Sequence, residues 1–173
     1  MAHHTIDPTN PESFELIKSL IDQYMPLFRS NKFNICCDET FDLQIGRHWN
    51  GNAGNLYIEF VKKLVNYLQS KGKTVMMWGD IALEYPNALD RIPKDTILLN
   101  WWYDQNPSEE KVKRIKEQGL TQVICPGTTS WTRLIERPSV AIPNITKFAG
   151  YGYKHGVKGI LNTNWGDYGH PSH

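Results

Sequence analysis

Two acids stand side by side in the stretch FNICCDETFDL, residues 33–43, where Asp38 and Glu39 follow directly on Phe-Asn-Ile-Cys-Cys. A short run ending in two small, usually buried residues reads as a buried strand. Adjacent carboxylates at its end repel each other and lose solvation, so either the strand surfaces there or something that needs acids is held there. Four later stretches carry matching chemistry. Trp78 and Asp80 follow one apolar run, and Trp101, Trp102, Tyr103 and Asp104 end another. Trp131 closes PGTTSW, and Trp165, Asp167, Tyr168 and His170 end the last stretch. Tryptophan faces stack on the apolar faces of sugar rings, while carboxylates grip hydroxyls or donate protons. Together these residue types predict the chemistry of a glycosidase.

The elements that must position them alternate along the chain. Helical spacing over 11–28 places Phe14, Ile17, Leu20, Ile21 and Tyr24 on one face. Strands are predicted over 33–37, 74–78, 96–102, 121–127 and 158–165, and helices over 55–72, 108–119 and 142–156. Gly72 and Gly119 close two of these helices and Ser108 is a candidate N-cap. The order is a helix, four strand–helix steps and a closing strand, with the helix of the second step placed on no particular stretch. Apolar strands alternating with amphipathic helices predict a parallel sheet covered by helices. In such folds the C-terminal ends of the strands lie on one side, where sites form. Asp38, Glu39 and the tryptophans are thereby expected around one mouth. Trp102 is expected to face the core instead, because neighbouring strand residues point to opposite faces.

Size and charge narrow the partners. The 173 residues suffice for one domain. The net charge of +1, from 19 basic and 18 acidic residues, shows no basic stripe for nucleic acid. No apolar run has membrane-spanning length, and the first residues lack the apolar core of a signal peptide, so a cytoplasmic location is expected. Cys36, Cys37 and Cys125 read as small buried strand residues with reduced thiols. They lack the paired spacing of a zinc site, and no cofactor is expected. His48 and His155 read as ordinary structural histidines. Asn144-Ile-Thr146 is a glycosylation sequon only in a secreted protein. GNAGN (51–55) does not follow a strand directly and makes a poor phosphate loop.

FNICCDE resembles the strand-4 motif His-Ile-Gly-Gly-Asp-Glu of family 20 glycoside hydrolases, the β-N-acetylhexosaminidases. In register, Asn34 takes the His place and Cys36-Cys37 the two glycines. MMWGD, LLNWW and NTNWGD resemble that family's strand 5, 6 and 8 ends, each with a pocket tryptophan. Two further departures are the Trp-Gly-Asp of the last motif, where the family more often has Trp-x-Glu, and CPGTTSW, which does not match its strand-7 Tyr-x-Asp. The resemblance implies a partial (β/α)8 barrel: five parallel strands, the family's strands 4 to 8, with intervening helices. A whole barrel needs about 250 residues. Residues 1–173 are therefore expected to be one partial catalytic domain, a fragment of a longer chain. The family's sugar-gripping Arg on the first strand would be missing. Such a fragment is expected to expose strand edges, to self-associate or require the missing N-terminal part, and to be inactive alone.

The resemblance also assigns roles. Glu39 becomes general acid and then base, and Asp38 orients the 2-acetamido group of the substrate. Trp78, Trp101 and Trp165 enclose the sugar. Tyr103 is the candidate to bond the acetamido oxygen, although the family's tyrosine comes from strand 7, and Asp167 would hold distal hydroxyls. The expected partner is a glycan or glycoside carrying a terminal β-linked N-acetylhexosamine, with no nucleic acid and no membrane. Two other readings stand beside this one: a non-catalytic sugar-binding or scaffold fragment, and a different barrel glycosidase whose carboxylates sit on separate strands.

Overall fold

The computed structural model describes residues 5–45 and 51–168. His48 and His170 lie outside them. Five parallel strands alternate with helices, and the strand order follows the chain, β1-β2-β3-β4-β5. The chain divides into two compact units, Met1–Ile97 and Leu98–His173.

The first unit begins with α1 (Pro11–Tyr24), whose N-cap Asn10 accepts a hydrogen bond from Glu12 N. A 3-10 turn follows over 25–27, where Pro26 has no N–H to continue the α ladder. Next come β1 (Lys32–Asn34), a 3-10 turn over 41–44, α2 (Ala53–Ser70) and β2 (Thr74–Trp78). α2 buries Ile58, Val61, Leu64, Val65 and Leu68 on one stripe. Each such burial is worth about 1.5–3 kcal/mol. The stripe packs on β2, whose Val75 and Met77 are buried. β1 pairs in parallel with β2, Phe33 opposite Val75 and Asn34 opposite Met76.

At three points in this unit the structure completes or corrects the sequence reading. The second crossover is built from two short helices, α3 (Asp80–Glu84) and α4 (Pro86–Leu89). Pro86 forces Tyr85 into an extended conformation and so breaks the helical period. β1 is shorter than 33–37, although Ile35 N still donates to Met76 O and Trp78 N to Cys36 O, both at 2.9 Å. Only part of the predicted face of α1 is covered: Ile21 is buried, whereas Leu20 and Tyr24 remain 44% and 58% exposed. Both line a groove with Phe33 and Ile35 of the edge-strand segment.

β3 (Ile97–Trp101) leads into the second unit, which continues with α5 (Glu109–Glu117), β4 (Thr121–Cys125), α6 (Pro138–His155) and β5 (Gly159–Ile160). Ser108 Oγ caps α5 by accepting from Lys111 N. Its core joins Val112, Ile124 and Phe148, with Trp102, Tyr151 and Val157 packed against them. Trp102 thus faces the core, and the Lys111 ammonium lies 4.5 Å from its ring centroid. α6 approaches β4 closely at Gly152, where a Cβ would fall 2.6 Å from Ile124 Cδ1. That contact explains a glycine inside a helix. β5 is shorter than 158–165 because Pro126 has no N–H to give. Pairing still continues through Leu161 N to Ile124 O and Thr163 N to Pro126 O.

Candidate active site

In the first unit the acid pair sits on a bent backbone. Cys36, Cys37 and Glu39 have φ of 60°, 64° and 49°, the left-handed region that non-glycine residues rarely enter. Each costs of the order of 1–3 kcal/mol and persists only where its surroundings hold it. Four contacts do so. Cys36 N donates to Asn34 Oδ1 at 3.0 Å, and Cys36 O accepts from Trp78 N. Tyr57 Oη donates to Cys37 O at 2.9 Å. Glu39 N donates to Asp80 Oδ2 at 3.0 Å, across 41 residues of sequence.

The bend separates the two carboxylates in environment. Asp38 is half-buried and Glu39 is exposed. Asp38 lines a cavity of about 280 Å³ with Ile35, Cys37, Thr40, Tyr57 and Leu64. The field of the acids reaches their neighbours. Burial first, then the charges of Cys36, Asp38 and Asp80, raise the Cys37 thiol far above its ordinary value. Burial, Cys37, Asp80 and Asp38 raise Tyr57 in the same way. Trp78, at the end of β2, is only 7% exposed. Cys36 is exposed and both cysteines lie beyond β1, so the expectation of two buried strand residues fails there, although the Cys37 thiol itself is enclosed. The left-handed bend turns the chain out of the sheet at those positions.

In the second unit the aromatics gather around Tyr103. Trp101 stacks on it with centroids 5.0 Å apart and planes 20° apart, and Trp131 meets it edge to face at 4.9 Å and 78°. Trp165 Nε1 donates to Tyr103 Oη at 2.9 Å, and Trp165 is 39% exposed. Gly127 makes room for the group, since a Cβ there would lie 2.8 Å from both Trp131 and Tyr103. Asp167 is exposed, and its backbone carbonyl accepts from Thr132 N, joining the segments after β4 and β5. Asn164 Oδ1 accepts from Thr128 Oγ1 and Ser130 Oγ at 3.0 and 2.6 Å.

Asn144 is fully buried inside α6. Its amide donates to Trp102 O and Asp104 O and accepts from Gly127 N. It therefore anchors two site loops and offers no exposed nitrogen to a glycan. In the sequence alone Trp131 and Tyr103 read equally well as packing residues, and Asp80 and Asp104 equally well as helix-cap or turn residues, while Asn144 was missed as an anchor. A polar residue on the inward stripe of an amphipathic helix was the available signal. His155 pairs with Glu109 at 2.9 Å, an ordinary structural contact. Among the described residues no three His, Cys, Asp or Glu side chains gather as a metal site, and no helix is long and apolar enough to cross a membrane.

Parallel strands alternating with helices, with active-site residues at the C-terminal ends of the strands, are the layout of barrel enzymes. The family model "Glycosyl hydrolase family 20, catalytic domain" matches residues 1–138, and the chain belongs to that family. It is 23% identical to lacto-N-biosidase of Bifidobacterium bifidum over 92% of this chain and 14% of that protein. It is also 23% identical to human hexosaminidase D, over 97% of this chain and 40% of that protein. Dispersin B superposes with a TM-score of 0.64 at 18% identity, over 93% of this chain and 54% of that one. The chain thus spans about one seventh and two fifths of the two curated relatives. The alternating strands and helices share the barrel architecture of the solved neighbours, which the chain covers in part.

Proposed function

We propose that the intact protein removes terminal β-linked N-acetylhexosamine residues with retention of configuration, using the substrate's own acetamido group as nucleophile. The observation that carries this reading is the adjacency of Asp38 and Glu39. Ordinary retaining glycosidases set two carboxyl groups about 5 Å apart across the scissile bond. Asp38 and Glu39 hang from adjacent positions of one bent backbone, the first lining the cavity and the second exposed, and cannot easily flank one bond in that way. A nucleophile inside the substrate removes the need for a second flanking carboxylate. The similarity to lacto-N-biosidase and hexosaminidase D, whose names describe such substrates, supports the substrate class.

In this mechanism Glu39 gives its proton to the glycosidic oxygen as the bond to the anomeric carbon breaks. The acetamido carbonyl oxygen attacks that carbon and closes an oxazolinium ring. Asp38 holds the acetamido N–H and offsets the positive charge that develops. Glu39, now a carboxylate, takes a proton from the water that reopens the ring, and configuration is retained. For sugar recognition we assign Trp78, Trp101 and Trp165 as ring walls and Tyr103 as donor to the acetamido oxygen. Asp167 is assigned to distal hydroxyls.

The test is the intact protein with Glu39→Gln, assayed on a nitrophenyl N-acetyl-β-glucosaminide. Loss of the proton donor should lower kcat by about 100-fold or more, while a thiazoline analogue of the intermediate still binds. Near-normal turnover in that variant removes the mechanism.

A further inference from the structure

We propose that Asp80 is a positioning residue for the acid Glu39, acting through the Glu39 backbone N–H; this rests on the reaction proposed above. Asp80 opens the five-residue helix α3 directly after β2. An acid in that place has an ordinary explanation, because carboxylates favour the first turn of a helix. Its geometry exceeds that explanation. Asp80 Oδ2 accepts from Glu39 N at 3.0 Å, so the carboxylate at the end of β2 reaches the segment that leaves β1. Glu39 is the residue whose φ of 49° is unfavourable without a holder. A return to negative φ would swing its side chain to another direction. The two halves of the clamp come from paired parallel strands, which sets their spacing. Asp80 thereby fixes where the Glu39 carboxyl points, and a displacement of about 1 Å at such a group costs about 100-fold in rate.

The test is steady-state hydrolysis of the nitrophenyl N-acetyl-β-glucosaminide by the intact protein and its variants, with thermal melting of each. Asp80→Ala should lower kcat about 100-fold and leave KM within about threefold. Asp80→Asn keeps an acceptor oxygen in place and should recover most of the loss. Asp80→Glu keeps the charge and the helix-terminal acid but moves the acceptor by one methylene. It should lower kcat at least about tenfold with an unchanged melting temperature, which separates positioning from folding. In a Glu39→Gln background, Asp80→Ala should lower kcat by less than about threefold further. An active wild type with Asp80→Ala or Asp80→Glu at wild-type kcat overturns this inference alone, as does Asn performing no better than Ala. A wild type that does not hydrolyse the substrate overturns the proposed reaction and this inference with it.

Discussion

The indole N–H of Trp165 donates to the hydroxyl of Tyr103 at 2.9 Å, tying together residues 62 positions apart. An indole nitrogen only donates. The tyrosyl oxygen is therefore the acceptor in this bond, and its own proton is directed away from the indole. That orientation suits a donor to the acetamido oxygen in the proposed reaction.

Tyr103→Phe should therefore lower kcat on the N-acetylglucosaminide by about 100-fold, because the acetamido carbonyl loses the hydrogen bond that positions it for attack on the anomeric carbon. The ring stays, so stacking on Trp101 and its edge contact with Trp131 should persist. Steady-state kinetics with near-ultraviolet circular dichroism separates the two effects. Unchanged kcat would take Tyr103 out of the acetamido site.

Replacing Cys36 by glycine should stabilise the protein. Its φ of 60° places a side chain where L-residues are disfavoured by about 1–2 kcal/mol. The exposed thiol gives up little packing on removal. Urea unfolding of Cys36→Gly should show a higher midpoint at an unchanged slope.

The pH dependence of stability has a definite sign at Cys125. Burial pushes this thiol up to about 12 from an ordinary value of 9.0. The folded state then keeps a proton that the unfolded state releases. The contribution is complete below pH 9.0 and is lost as pH rises from 9.0 towards about 12. Cys125→Ala should flatten the alkaline decline across that window in unfolding measured at stepped pH. An identical decline in both proteins would show that Cys125 does not supply it.

The sheet and its large helices are legible because their signals are local and strong. TVMMW is β2 as predicted, and the stripe of α2 follows from its 3.6 period. The crossover over 79–95 was not legible because the Tyr85–Pro86 break leaves helices of five and four residues, too short for a period. Leu20 and Tyr24 of the α1 face stay exposed for another reason. Periodicity marks which residues could be buried, while the cover they receive depends on neighbours in space. The acid pair and the tryptophans stand out by type as candidates for a site. The left-handed bend at Cys36, Cys37 and Glu39 does not, because cysteine and glutamate carry no hint of positive φ as glycine would. The clamp from Asp80 to Glu39 depends on the pairing of β1 with β2 and is invisible in either segment alone.

The most direct test of substrate assistance compares two substrates of the intact protein that differ only at the 2-position: the nitrophenyl N-acetyl-β-glucosaminide and the plain nitrophenyl β-glucoside. If the acetamido oxygen is the nucleophile, the first is hydrolysed and the second, which has no such group, is cleaved slower by about 1,000-fold or more in kcat/KM. Comparable rates on the two would mean that a protein carboxylate attacks the sugar, and would contradict the roles given to Asp38 and Glu39.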